Sequence, residues 1–240
     1  MSNEDENCFK AKLRLCEDRK LVLNDAHNDA HNDAQARKQD DQVEPITRVE
    51  LKELPDDGFL LKNVLSKKEC EDLIAQSEEF GYKSLENEYP KEYRDNDRVM
   101  LEDMHAAQVI YERVKAFIPA QIHAQNGEWH PISLNHRFRF CRYKPGGHFN
   151  PHYDAPYISK SGEELSKYTF MLYLNGVHSN EDGGATNFLN FKDHRVYLSV
   201  KPEAGMAIVF KHRIYHEGER LKAGIKYLMR SDVVFKFTPN

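Results

Sequence analysis

From Pro131 to Asn240 the chain carries no helical period. Short β-rich runs recur instead, over 136–143, 168–174, 185–191, 195–200, 206–211 and 225–237. Pro145-Gly146-Gly147, Asp182-Gly183-Gly184 and Pro202-Glu203-Ala204-Gly205 supply the turns that close them. Strands this short and this numerous bury little as a single layer. They have to be stacked as two sheets or closed on themselves.

What precedes them is helical. Phe59-Leu60-Leu61 reads as a short buried strand. Ser66-Lys67-Lys68-Glu69 is a capping box, in which hydroxyl and carboxylate each satisfy a free backbone N–H. Behind it Cys70, Leu73, Ile74 and Ser77 share one face, and Gly81 is a natural stop. A second helix is predicted over 103–118, with Ala107, Ile110, Tyr111, Val114, Phe117 and Ile118 inward and Pro119 ending it. Helices followed by strands predict an α+β fold: a double-stranded β-helix (jelly roll) core with the N-terminal helices packed on one side.

Residues 1–45 differ in kind. They hold 11 acids against 7 bases, while residues 46–240 hold 28 against 27, out of a net charge of −5. A near-repeat, Asn24-Asp-Ala-His-Asn-Asp-Ala-His-Asn-Asp-Ala34, would align His27 and His31 if helical. Low apolar content predicts a disordered or polar tail there, and a single domain over 46–240. The balanced charge of that domain gives no case for a nucleic-acid partner. No apolar run reaches about 18 residues, so no membrane span is expected. The acidic start lacks the apolar stretch of a secretory signal. Cys8, Cys16, Cys70 and Cys141 have no C-x-x-C spacing, so neither a disulfide framework nor a zinc ribbon is expected, and an intracellular, cytoplasmic setting fits.

His152-Tyr153-Asp154 is the first piece of chemistry. At i and i+2 of an extended segment an imidazole and a carboxylate converge on one ion. The motif alone says little, because His27-Asn-Asp29 and His31-Asn-Asp33 match it as well. His216 lies 62 residues beyond Asp154, and Lys226 ten residues further. Two histidines and a carboxylate form a facial triad that leaves three positions open on Fe(II). A buried cation could then hold the far carboxylate of a bound diacid. His212 competes with His216, and His148 reads as a loop or supporting residue. Lys226 could alternatively pair with an acid or reach solvent. Arg230 shares the strand parity of Lys226, which leaves two readings: contact with substrate or a metal-bound water, or an ion pair with Asp232. Arg139 invites the same pair of readings, and Arg98 is left without an assigned role.

With these pieces in order, residues 135–235 resemble the prolyl 4-hydroxylase-type branch of the 2-oxoglutarate/Fe(II)-dependent dioxygenases. The resemblance rests on Arg139-Phe-Cys-Arg-Tyr143, Pro145-Gly-Gly147, His152-Tyr-Asp154, Tyr173-Leu-Asn175, Gly183-Gly184, Pro202-Glu-Ala-Gly205 and His216-Glu-Gly218 through Gly224-Ile-Lys226. The helix after Ser66 and Tyr93-Arg-Asp-Asn-Asp-Arg98 are similar to the leader ahead of such a barrel. The resemblance implies that His152, Asp154 and His216 hold iron and that Lys226 pairs with the distal carboxylate of 2-oxoglutarate. It implies that Tyr173 assists that clamp and that Tyr143 lies near the cosubstrate; Arg230, by its parity with Lys226, is a further candidate for the cosubstrate pocket. It implies Fe(II), 2-oxoglutarate and O2, with ascorbate as an accessory reductant. The reaction would couple decarboxylation to succinate with hydroxylation of a C–H bond, and Asp154 favours hydroxylation over halogenation. A prolyl or other protein side chain is the expected substrate. The alternatives are a small molecule, or a weakly active barrel that serves as a binding module.

Overall fold

The computed structural model describes residues 8–16, 44–177, 179 and 181–240. The His27/His31 repeat lies outside the described residues. In chain order the elements are β1 (Cys8–Lys10), β2 (Thr47–Glu50), β3 (Gly58–Lys62), α1 (Lys67–Phe80), β4 (Lys83–Ser84), β5 (Arg94–Asp95), β6 (Asp97–Glu102) and α2 (Met104–Val114). A 3-10 turn over Lys115–Phe117 and β7 (Ile122–Ala124) follow. The remaining strands are β8 (Gly127–Leu134), β9 (Arg137–Tyr143), β10 (His148–His152), β11 (Glu164–Tyr173), β12 (Thr186–Leu189), β13 (Val196–Val200), β14 (Ala207–Lys211), β15 (His216–Gly218) and β16 (Lys226–Pro239).

Both helices begin where the sequence places a cap. Ser66 Oγ accepts from Glu69 N while Glu69 Oε2 accepts from Ser66 N, which closes the predicted capping box. Asp103 caps α2 by accepting from Ala106 N. Gly81 ends α1 at φ 82°, a conformation that needs no Cβ.

The strands form two sheets. The larger has 11 strands with the path β1-β6-β9-β16-β11-β14-β3-β2, and the smaller runs β13-β12-β15-β10-β5. β16 is the spine of the larger sheet, paired on one side with β11 and on the other with β9 and β8. Its alternation sorts the molecule into layers. Met229, Val233 and Phe235 join Leu73 of α1 and Ile110 of α2 in one apolar cluster, so the helices cover that face. Leu228 points the other way, into a second cluster with Tyr173, Phe188, Ile208 and Phe210 between the two sheets. The predicted jelly-roll core is the observed architecture. No helix among the described residues is long and apolar enough to cross a membrane.

One strand was not foreseen, and one segment differs from expectation. β8 begins before Pro131 and runs through it. The proline sits opposite Phe235 beside a register shift, where a missing N–H is tolerated. Residues 8–16, expected to belong to the polar tail, are part of the fold. β1 pairs in parallel with β6, and Leu13 is 5% exposed within the helix-side core. Leu13 N donates to Asp103 Oδ2 (2.6 Å) and Cys16 N to Glu69 Oε1 (2.9 Å). Arg113 donates to both Cys16 O (2.6 Å) and Glu69 Oε1 (2.7 Å). A buried Glu69–Arg113 pair thus ties α1, α2 and the N-terminal segment together.

Breaking that pair strands a charge. Arg113→Ala should cost about 3–5 kcal/mol of stability, the range for an orphaned buried ion. A chain starting at residue 41 should lose about 1.5–3 kcal/mol from Leu13 alone. Denaturant unfolding checks both. Wild-type midpoints would show that the segment merely rests on the surface.

Candidate active site

The smaller sheet brings two histidines side by side. His152 on β10 is the register partner of His216 on β15. Each ring is oriented by its own backbone. His152 Nδ1 donates to Asn150 O (2.8 Å) and His216 Nδ1 to Ile214 O (2.9 Å). This fixes both Nε2 lone pairs toward Asp154, at 3.8 Å from Oδ1 and 3.6 Å from Oδ2 respectively. The ligand atoms of His152, Asp154 and His216 lie within 4.8 Å of one another.

Electrostatics suit a cation here. Burial, with the neighbouring His216, lowers His152 to about 3, and burial also lowers His216, so both imidazoles are neutral donors. Burial works to raise the Asp154 pKa, but Arg230, His216, His152 and the Thr169 hydrogen bond outweigh it and hold the carboxyl well below its ordinary range. Two neutral nitrogens and a carboxylate, buried and converging, fit the N/O donor set of Fe(II) with open positions.

A short chain of hydroxyls supports Asp154 from the larger sheet. Thr169 Oγ1 on β11 donates to Asp154 Oδ2 (2.5 Å). That uses the single hydroxyl proton, so His212 Nδ1, 2.9 Å from Thr169 Oγ1, must be the donor of its pair. His212 Nε2 then accepts from Ser166 Oγ (2.8 Å). The competing histidine therefore spends both ring nitrogens behind the triad. His148 bonds carbonyls, Gly146 O and Glu92 O, both at 3.1 Å. Thr169→Val keeps the volume and removes the bond to Asp154. Fe(II) affinity should fall about 10–100-fold, the usual effect of losing a ligand's support. An anaerobic metal titration reads this, and an unchanged affinity would make Thr169 a packing residue only.

A cavity of about 520 Å³ opens beside the triad. The inward parity of β16 delivers Lys226, Leu228, Arg230 and Asp232 to its wall, opposite Tyr143 and Arg139 of β9. Lys226 is 2% exposed, and its Nζ donates to Gly184 O (2.5 Å). The Tyr143 and Tyr173 rings lie 5.4 and 5.6 Å from Nζ. Among the described residues no carboxylate lies within ion-pair distance of Lys226, and burial, only partly offset by Cys141 and Glu219, pushes its pKa down to about 8. Gly184, at φ 79°, lets this carbonyl approach. A Cβ there would stand 2.8 Å from Leu221 Cδ1.

The other predicted residues divide. Tyr143 is buried and lines the cavity. The Tyr173 hydroxyl is turned to Thr186 Oγ1 (2.7 Å), and it is Thr186 that faces the cavity. Arg230 pairs with Asp154 Oδ1 (3.1 Å) and Asp232 Oδ1 (3.4 Å), so it is both cavity-facing and an ion-pair partner. Arg139 lies 3.6 Å from Asp232 Oδ2, and Arg98 is held by Glu88 at 2.7 Å. Thr169, Thr186 and Arg94 were not singled out from sequence. The Thr residues carry no local signal, since their roles arise only when the two sheets meet.

Residues 138–231 match the model of the 2OG-Fe(II) oxygenase superfamily. No curated protein matches the chain by sequence. Several solved structures share the fold. A viral collagen prolyl hydroxylase from Paramecium Bursaria Chlorella virus-1, solved as a 2OG complex, has a TM-score of 0.52 and 18% identity, covering 75% of this chain and 96% of that one. A Pseudomonas putida prolyl-4-hydroxylase has a TM-score of 0.51 and 16% identity, covering 74% and 92%. A Trichoplax adhaerens prolyl hydroxylase, in complex with a hypoxia inducible factor oxygen degradation domain peptide fragment, has a TM-score of 0.54 and 14% identity, covering 75% and 83%. The matched stretch runs from β9 into β16 and contains both histidines, the carboxylate and Lys226; this part of the chain is similar to the 2OG-Fe(II) oxygenase superfamily, and the protein is an Fe(II)- and 2-oxoglutarate-dependent dioxygenase.

Proposed function

We propose that this enzyme hydroxylates a C–H bond of a prolyl or other side chain in a protein. The observation that carries the reading is the mouth of the cavity. Tyr153 lines it and is 48% exposed, and it meets Phe191, 63% exposed, and Tyr215 at ring distances of 6.0 and 5.0 Å. A cluster of exposed aromatics that continues the wall of a reaction cavity suits a partner larger than a metabolite. The cavity also has spare room. At roughly 30 Å³ per heavy atom a diacid of about ten such atoms takes at most about 300 Å³. The peptide bound by the Trichoplax enzyme of the same fold is consistent with this reading.

In this reading His152, Asp154 and His216 hold Fe(II), and Lys226 receives the far carboxylate of 2-oxoglutarate. The iron and cosubstrate, when bound, supply the oxidation itself. The chain's own residues do the positioning. The carbonyls of Asn150 and Ile214 lock the imidazole tautomers, Thr169 and Arg230 hold the two oxygens of Asp154, and burial keeps water from Lys226. Residues 44–240 with the 8–16 segment form the catalytic unit, and free thiols at Cys8, Cys16, Cys70 and Cys141 suit a reducing, intracellular compartment.

The test is mass spectrometry of protein extracts after incubation with enzyme, Fe(II), 2-oxoglutarate and isotopically labelled O2. A label on a protein side chain, with succinate formed in step, supports the reading. A label confined to small molecules overturns it.

A further inference from the structure

The cations lining the cavity divide into two groups. Arg98, Arg137, Arg139 and Arg230 each hold a carboxylate, on Glu88, Glu102, Asp232 and Asp154 respectively. Among the described residues Lys226 and Arg94 do not. Lys226 is accounted for by the cosubstrate. Arg94 has no such assignment.

Arg94 is nevertheless held in place. β5 adds to the edge of the smaller sheet beside β10, which sets Arg94 directly across from Phe149. Its guanidinium carbon stands 4.2 Å from the Phe149 ring centroid and 5.3 Å from that of Tyr89. Nε donates to Asn96 Oδ1 at 2.7 Å, and the buried Asn96 is itself anchored through Nδ2 to Asp97 O. An outer nitrogen makes one long contact, 3.8 Å to Cys141 Sγ. Phe149 in turn stacks on His152 with centroids 3.6 Å apart and planes 18° apart. A guanidinium is thus fixed one aromatic ring away from a residue of the triad.

We propose that Arg94 binds an anionic group of the substrate, a carboxylate in the first instance, beside the carbon that is oxidised. The inference rests on the reading of the His152–Asp154–His216 site as the place of oxidation. Guanidinium is weakly hydrated, stacks on aromatic faces and meets carboxylates through two parallel N–H groups. Placed in a partly desolvated cavity and, among the described residues, without a carboxylate partner of its own, it rewards a ligand that brings one. The two steps, 4.2 Å from guanidinium to the Phe149 ring and 3.6 Å from that ring to His152, together span no more than about two extended residues at about 3.3–3.6 Å each. A peptide substrate would therefore carry Asp, Glu or a terminal carboxylate within about two residues of the hydroxylated one. A small organic acid would present the same chemistry, and the experiment separates the two sources.

The Fe(II)- and 2-oxoglutarate-loaded enzyme is incubated under labelled O2 with a proteome-derived peptide pool, with the same pool after its carboxylates are amidated, and with a panel of small organic acids and their amides. We expect labelled peptides to carry an acid near the label, and amidation to lower their yield about 10–100-fold, the scale of a charged hydrogen bond. Arg94→Gln should lower the untreated yield as much, with Arg94→Lys between. Fe(II) and 2-oxoglutarate binding by Arg94→Gln, followed anaerobically by the metal-to-ligand absorption band, should match wild type. Label on peptides without a neighbouring acid, or undiminished after amidation, overturns the proposal without any variant. Weakened Fe(II) binding in Arg94→Gln, in proportion to lost product, overturns it in favour of a support role for the Phe149–His152 stack. Label on small acids only, with the same dependence on charge and on Arg94, upholds this subsite and overturns the protein-substrate reading. No label in any pool overturns both.

Discussion

His152→Ala and His216→Ala should each abolish Fe(II)-dependent turnover and release the metal, while His212→Ala should keep a weakened site. The argument is geometric. His152 and His216 are cross-strand partners whose Nδ1 atoms are committed to carbonyls, which leaves Nε2 of each facing Asp154. Removing either takes one of three donors from the ion, and the loss should exceed the ~10–100-fold that follows removal of an outer support. His212 stands one step back. Its imidazole is bonded to Thr169 and Ser166, and it touches the site only through the Thr169–Asp154 bond and the backbone contact from Asp154 N to His212 O (3.2 Å). His212→Ala should therefore fall within the outer-support range and respond to added Fe(II). Anaerobic metal titration of the three variants decides this. If His212→Ala is metal-free while His216→Ala retains iron, the ligand assignment is wrong.

How far such a site can be read from sequence depends on the reach of the signal. The capping box at Ser66 and the parity of β16 are local. One is a four-residue pattern, and the other follows from alternation along a strand, so Lys226 and Arg230 could be sent to one face before any fold was known. The edges of the sheets are tertiary. β5 is two residues long and exists because β10 lies beside it, so no local pattern marks Arg94 as a strand residue. Residues 8–16 have the composition of a tail. They are ordered by three specific anchors, Asp103, Glu69 and Arg113, that lie far away in sequence. Pro131 lies within β8, where the register shift beside it tolerates the missing N–H. Thr169 and Thr186 are ordinary strand residues until the second sheet closes over them and hands one an acid and the other a tyrosine.

Lys226→Ala tests the cosubstrate pocket rather than the metal. A buried ammonium has three donors, and this one meets a single hydrogen-bond acceptor among the described residues, Gly184 O, with two aromatic rings more than 5 Å away. Burial without an acid disfavours its charge, which is why its pKa falls from 10.5 to about 8. A bound dianion would relieve that cost. Losing the charged bond, worth ~1.5–3 kcal/mol, should raise the 2-oxoglutarate requirement by about one to two orders of magnitude. Iron should still bind, because Lys226 touches none of the three ligands. The same shift gives a pH signature. Below about pH 8 the free enzyme already carries the charge the ligand needs. Above it Lys226 is neutral, binding must take up a proton, and the dissociation constant should rise by up to about tenfold per unit of pH until the raised pKa of the complex is reached. In Lys226→Ala the affinity should be weak and flat over the same range. Lys226→Arg keeps a charge that does not titrate, so it too should be flat, at an affinity set by how well the bulkier fork fits beside Tyr143. Titrating 2-oxoglutarate into anaerobic Fe(II) enzyme between about pH 7 and pH 9 measures all three. A wild-type affinity in Lys226→Ala would move the clamp to Arg230 or Arg139, and a pH profile that persisted in that variant would assign the proton to another group.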